Sequence, residues 1–192
     1  MLLGEADVRE AISRSEAGQY DVLAANRALA GAEIELVQEI AREMRLKNAL
    51  ADVLDDYDFI LLDCPPTLTL LTLNGLVAAE GVLVPMVCEY YALEGISDLV
   101  ATVRKIRQAI NPRLDIIGIV RTLYNSQSRL SQEVSEQLQS HFGRQLFTTT
   151  IPRNVRLAEA PSHGLPALAY DAKAKGTLAY LALADELLAR MA

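Results

Sequence analysis

Short, solid apolar runs alternate along this chain with longer stretches whose apolar residues recur at helical spacing, and few folds accept that alternation. Phe59-Ile60-Leu61-Leu62 is the clearest run. It closes on Asp63 and then Cys64-Pro65-Pro66, and two successive prolines cannot donate to a strand ladder, so a buried strand is predicted to end there. Further strands are predicted at Val82 to Val87, Ile116 to Val120 and Leu146 to Ile151, with a short apolar run at Tyr20 to Ala25 ahead of them. Helices are predicted from about Thr69 to Ala79 and through Ile96, Leu99, Val103, Ile106 and Ile110 to a stop at Pro112. Two more follow, one with the face Leu130, Val134, Leu138 and Phe142 and a closing one with Leu178, Leu181 and Leu188. Upstream, Ile34, Val37, Ile40, Met44, Leu50, Val53 and Leu54 predict one long amphipathic helix. Solid apolar strands set between helices imply an α/β fold, a mainly parallel sheet covered on both faces in three layers.

The 192 residues, 51% hydrophobic and 22% charged, suffice for one sizeable domain and are too few for two ordinary ones. Two cysteines without paired spacing and the lack of an apolar leader point to a reducing cytoplasm. Asp63, Glu80, Glu89 and Glu94 interrupt the most hydrophobic region, so no membrane partner is expected. The net charge of -7 conceals an asymmetry. Residues 1–100 hold 6 basic and 18 acidic side chains, and residues 101–192 hold 12 basic and 7 acidic ones, which allows a local basic face on an acidic protein.

In an open parallel sheet, ligands bind at the C-terminal ends of strands. Those ends fall here at Asp63-Cys64-Pro65-Pro66, Cys88-Glu89, Arg121-Thr122 and Pro152-Arg153-Asn154. A carboxylate directly after four apolar residues can stand near a nucleotide-bound magnesium, directly or through water. It can equally cap the helix that follows, and Asp63 alone leaves both readings open.

The words around these ends are more specific. Phe59 to Pro66, Leu70-Leu71-Thr72-Leu73-Asn74, Cys88 to Gly95 (CEYYALEG) and Ile151 to Ser162 (IPRNVRLAEAPS) resemble the ParA family of partition ATPases, in that order and at similar separations. The resemblance covers about Leu2 to Ala189 and implies a P-loop NTPase-like fold, with residues 1–192 as a single domain. It implies that Asp63 is the Walker B aspartate organising magnesium and that Cys64-Pro65-Pro66 is the switch segment sensing the γ-phosphate. Thr122, Pro152, Arg153 and Asn154 then match the adenine pocket, where a proline ring can pack on the base. ATP and magnesium are the implied cofactors. The implied partners are a second copy in a homodimer, nonspecific DNA and a centromere-binding ParB-like protein, with the protein associated with the nucleoid.

Family members carry a lysine-rich phosphate loop, then a strand ending in an aspartate-rich turn that polarises the attacking water. None of the four lysines here follows a glycine, and Met1-Leu2-Leu3-Gly4-Glu5-Ala6 corresponds to a point after both segments. A domain truncated at its N-terminus is therefore expected, without tight ATP binding or useful hydrolysis by this chain alone. The missing strand would leave Phe59 to Leu62 unpaired on one side, so self-association and reduced stability are expected. The basic surplus offers Arg129, Arg144, Arg153, Arg156, Lys173 and Lys175 for sequence-independent phosphate contacts. Asn125 and Gln127 stand where many relatives carry an acidic residue and an arginine. A noncatalytic interaction module and a related ATPase positioning another cargo remain as alternatives. His141 and His163 lack a second ligand at metal spacing, and Cys64 and Cys88 read as small buried residues. The final helix carries Asp185 and Glu186 and no basic stripe, unlike the membrane-targeting helix of the related cell-division ATPases.

Overall fold

The structure, a computed structural model, describes residues 1–90 and 92–191. The side chains of residues 91–94, part of the third family-like word, lie outside the described residues. The chain packs as two compact units, one of Met1–Gly81 with Lys105–Leu114, the other of Val82–Arg104 with Asp115–Ala192.

The first unit begins with α1 (Val8–Ala11), which Asp7 caps by accepting from the Arg9 N–H, and a hairpin of β1 (Ile12–Ser15) and β2 (Tyr20–Leu23). The two strands pair antiparallel, from Ile12 opposite Leu23 to Ser15 opposite Tyr20. Then come α2 (Ala28–Leu36), a 3-10 turn at Arg42–Met44, α3 (Arg45–Leu50), a 3-10 stretch at Ala51–Asp56 and α4 (Leu70–Ala78). Val8, Leu50 and Val53 form its core, with Ile12, Leu46, Tyr57, Ile60, Leu62 and Ala78 packed around them.

Two expectations fail in this unit. The long helix from Ile34 to Leu54 is broken into pieces, because Ala41 takes a left-handed backbone (φ 51) that no α-helix continues through. Its apolar positions accordingly divide, with Leu50 and Val53 buried while Ile34 and Ile40 are 76% and 90% exposed. Phe59 to Leu62 is not a buried strand either. A solid apolar run needs cover on both faces and ladder partners on its flanks, and among the described residues it has one covered face and no ladder. Ile60 and Leu62 turn into the core, whereas Phe59 and Leu61 are 49% and 87% exposed.

Helix α4 is the firmest element of this unit. Thr69 caps it by accepting from the Thr72 N–H, and Glu33 accepts from the Leu71 N–H. The buried Asn74 amide accepts from the Leu46 N–H and donates to the Arg42 and Leu70 carbonyls. The buried Asn111 amide donates to the Leu76, Val77 and Ala79 carbonyls, satisfying groups that the helix end would otherwise leave orphaned.

The second unit holds a three-stranded sheet in the order β3 (Gly81–Val87), β4 (Asp115–Tyr124), β5 (Leu146–Pro152), and β4 and β5 run parallel. Its helices are α5 (Ala92–Ala109), which continues into the first unit from Lys105, α6 (Arg129–Phe142), α7 (Val155–Glu159), α8 (Ala167–Tyr170) and α9 (Lys175–Met191). On one face Val84, Met86, Cys88, Ile119 and Leu146 pack with Ile96 of α5 and Val134 and Leu138 of α6. On the other, Val120, Phe147 and Ile151 pack with Leu183 and Leu187 of α9. The expected three layers are thus present in this unit. Gly118 admits the Phe147 ring, since a Cβ there would stand 2.3 Å from Phe147 Cε2 and 2.7 Å from the Gln145 carbonyl oxygen.

Helix α9 also holds β5 by charge. The Glu186 carboxylate accepts from the Thr148 and Thr149 N–H groups. Arg190 donates to the carbonyls of Arg144, Gln145 and Leu146 and to Glu186, with its guanidinium 3.8 Å above the Phe147 ring. Burial opposes charge on Glu186, but the bonds from Thr149, Thr148 and Arg190 outweigh it and bring the carboxyl from 4.5 to about 2.

Candidate functional site

In the second unit the C-terminal ends of β4 and β5 open onto a cavity of about 520 Å³ that is shallow and wide open to solvent. Tyr124 and Ser126 line it from the end of β4, Thr150 and Pro152 from β5, and Lys175, Leu178 and Ala179 from the first turns of α9. Tyr124 and Pro152 are register partners, so the two strand ends present a ring and a proline side by side. The lining is mostly apolar, and it carries two hydroxyls, a phenol and an ammonium. A flat apolar body with polar edges suits such a lining.

The backbone around Pro152 is locally fixed. Asn154 is the cap of α7, its Oδ1 accepting from the Arg156 and Leu157 N–H groups. Gly176, one residue into α9, lets that helix approach closely, since a Cβ there would stand 2.5 Å from Leu157 Cδ1 and 3.0 Å from Asn154 Cβ. Among the residues expected at a base pocket, Pro152 lines the cavity, Asn154 anchors the loop behind it, and Thr122 is half-buried on β4. Arg153 is exposed between them. Tyr124 and Ser126 are not expected at a site from the sequence because the apolar run of β4 stops at Val120 while the strand continues to Tyr124, and Thr150, Leu178 and Ala179 read only as strand or helix positions. The sequence offers Lys175 as a cation, and its place at the cavity comes from the fold.

Asp63, Pro65 and Pro66 belong to the first unit and are exposed. Asp63 makes no hydrogen bond or ion pair among the described residues, and Thr69, six residues on, caps α4. The reading of Asp63 as a helix cap is thereby removed. Cys64 is exposed rather than buried, unlike Cys88. Its thiol lies 2.9 Å from where a Cβ on Gly75 would stand, so the Asp63-Pro66 segment rests on α4 at its glycine. Partial desolvation of the sulfur against α4 and then the Asp63 charge push the Cys64 thiol up, which makes it a poorer nucleophile.

No group of three or more His, Cys, Asp or Glu able to hold a metal ion exists among the described residues. A single uncommitted carboxylate fits magnesium carried chiefly by nucleotide phosphates and waters, which is how that ion is commonly bound. The cations separate into two kinds. Arg129 pairs with Glu133, and Arg156 with Glu159 and Asp171. Arg144, Arg153, Lys173 and Lys175 are exposed and have no ion pair among the described residues. No helix among the described residues is long and apolar enough to cross a membrane.

Residues 1–116 match the family described as AAA domain. An uncharacterized protein of Pseudomonas putida is 55% identical over 99% of this chain and 72% of its own length. The chromosome-partitioning ATPase Soj of Treponema pallidum is 47% identical over 99% of this chain and 75% of its own. Among solved structures, a cobyrinic acid a,c-diamide synthase from Mycobacterium smegmatis with bound ADP and magnesium superposes with a TM-score of 0.82. It is 36% identical and covers 97% of this chain, which spans 69% of that one. With near-complete coverage by a named Soj protein and a P-loop NTPase-like fold around the strand ends, the chain belongs to the ParA/Soj family of chromosome-partitioning ATPases.

Proposed function

We propose that these residues form the base-binding and magnesium-organising part of a partition ATPase that dimerises with ATP, binds DNA without sequence preference and is stimulated by a centromere-binding ParB-like protein on the nucleoid. The observation that carries the reading is the cavity where Tyr124 and Pro152 meet at the ends of β4 and β5, which suits an adenine ring. Pro152 packs on the base, and Ser126, Thr150 and the Lys175 ammonium offer polar contacts at its edge. Asp63 would hold magnesium through water, and Pro65 and Pro66 stiffen the segment that follows the γ-phosphate. The bound ion neutralises phosphate charge. The glycine-lysine loop that cradles phosphates is not among these 192 residues, so hydrolysis is assigned to a protein in which such a loop accompanies them.

Calorimetry with ATP and magnesium tests this directly. The 192 residues should bind ATP no tighter than about millimolar, because a base pocket alone supplies only a fraction of the contacts. In a protein with the loop, Asp63→Ala should reduce hydrolysis by about 100-fold or more while leaving the melting temperature in place. Unchanged turnover would remove Asp63 from the magnesium site. For DNA, the unpaired Lys173 and Lys175 are the cleanest probes, since Arg156 is already engaged with Glu159 and Asp171. Lys173→Glu with Lys175→Glu should weaken binding to unrelated duplexes alike and flatten its salt dependence. Undiminished affinity would place the DNA face elsewhere.

A further inference from the structure

Between β4 and β5 the register slips twice, in opposite senses. From Ile119 opposite Leu146 to Arg121 opposite Thr150, β4 advances two residues and β5 four. From there to Tyr124 opposite Pro152, β4 advances three and β5 two. The first slip places an irregular bulge at Phe147 to Thr149, and the second coincides with Leu123, whose backbone is left-handed at φ 50. Without these slips a different pair of residues would face each other at the cavity, so the bulge determines that Tyr124 and Pro152 meet there.

A bulge leaves backbone groups without ladder partners, and here side chains from two directions take them. Arg121 of β4 donates from Nη2 to the Phe147 and Thr148 carbonyls, and from Nη1 to the Ser135 hydroxyl of α6. Glu186 of α9 accepts the Thr148 and Thr149 N–H groups. The guanidinium also lies 5.6 Å from the centroid of the Tyr124 ring, which lines the cavity. This arrangement is costly in itself, since the Arg121 Nε is buried with no partner. A leucine or methionine would serve a plain strand at that place at less cost.

We infer that Arg121 is a positioning residue for the cavity: it holds the β5 bulge by its carbonyls and supports the Tyr124 ring, and so fixes where Thr150 and Pro152 stand against Tyr124. Arg121 itself is absent from the cavity lining. Its effect on a ligand passes through β5 and Tyr124. For its ligand the inference rests on the nucleotide reading of the cavity; for the positioning it does not.

The test is a backbone NMR comparison of the wild-type chain with Arg121→Met, Arg121→Lys and Arg190→Ala, each titrated with adenosine. Arg190→Ala loosens β5 at Leu146 and removes one partner of Glu186, but it leaves the bulge carbonyls bound to Arg121 and the bulge N–H groups facing the Glu186 carboxylate, and serves as a control for lost stability. Arg121→Met should shift the amides of Tyr124, Thr150, Arg153 and Asn154 and speed their hydrogen exchange, and should weaken adenosine binding about tenfold. Arg121→Lys, which keeps a donor but loses the fork, should show the same changes at smaller size and carries the test where the methionine variant does not fold. Arg190→Ala should lower the melting temperature with those amides and the adenosine affinity little changed. Wild-type amide positions at Tyr124, Thr150 and Arg153 in both Arg121 variants would overturn the inference, as would equal displacement of them by Arg190→Ala. If the wild type binds no adenosine while Arg121→Met moves those amides, the positioning stands and the nucleotide reading of the cavity falls.

Discussion

Leu123 is where the local cost of this site can be measured. A leucine held at φ 50 sits in a region that L-residues with a Cβ enter only under strain, and its side chain is 47% exposed, so little packing offsets the cost. Strain at a strand end beside a cavity commonly accompanies function. Leu123→Gly should leave stability unchanged or raise it by up to about 1 kcal/mol, the relief being partly cancelled by the larger entropy of the unfolded chain. Leu123→Val, β-branched and stiffer, should lower it by about 1 kcal/mol or more. Urea titrations of the two variants decide this; equal stabilities would show that the left-handed backbone carries no strain. At the same scale Cys64 and Cys88 show why burial is hard to read from residue type. Both are small and both follow apolar runs, yet only Cys88 ends a run that is paired into a covered sheet.

Three elements of the second unit were legible because each has its own local signal, whereas the end of β4 and the short helices α7 and α8 were not. Val82 to Val87, Leu130 to Phe142 and Leu146 to Ile151 have clear periods and clear stops, and β3, α6 and β5 fall on them within a residue or two. The Phe59 to Leu62 run had the same local signature and formed no strand, since pairing depends on a neighbour that local pattern does not contain. The α9–β5 attachment was likewise invisible, because Glu186 reads as one more solvent-facing carboxylate until Thr148 and Thr149 turn their N–H groups to it. Its low pKa, about 2 against 4.5, makes the attachment sensitive to acid. A carboxyl whose pKa is depressed on folding contributes its full stability above the unfolded value and loses it as pH falls through the folded one. Stability should therefore decline between about pH 4.5 and pH 2. Glu186→Gln should lower stability at pH 7 by about 1–2 kcal/mol and flatten that acid limb. The check is a series of melts from pH 7 to pH 2, and an unchanged acid slope in the glutamine variant would mean that other carboxylates carry the effect.

For the molecule as a whole, the family was legible in four words, whereas the arrangement of the chain into two units was not. The words carry the family likeness, and they do not say which strands find partners. That difference matters most at Phe59 to Leu62, where Asp58 and Asp63 flank an apolar run with no ladder partner among the described residues. Phe59 and Leu61 point outward on one side of it, 49% and 87% exposed, while Ile60 and Leu62 are engaged in the core. Unpaired backbone beside exposed apolar side chains recruits other strands, and the two aspartates oppose this only by modest charge repulsion, which salt weakens. The chain should thus self-associate at micromolar concentration, more strongly as ionic strength rises. Leu61→Lys replaces the exposed apolar side chain in the middle of the run by a long charged one that must stay hydrated, without touching the Val8-Leu50-Val53 core, so it should suppress association while leaving the melting temperature of the monomer intact. Light scattering across a concentration series, at low and high salt, measures both effects. A wild-type chain that stays monomeric at both salt concentrations would mean that the run is screened by its own chain in solution, and association that persists in Leu61→Lys would move the contact to another exposed face.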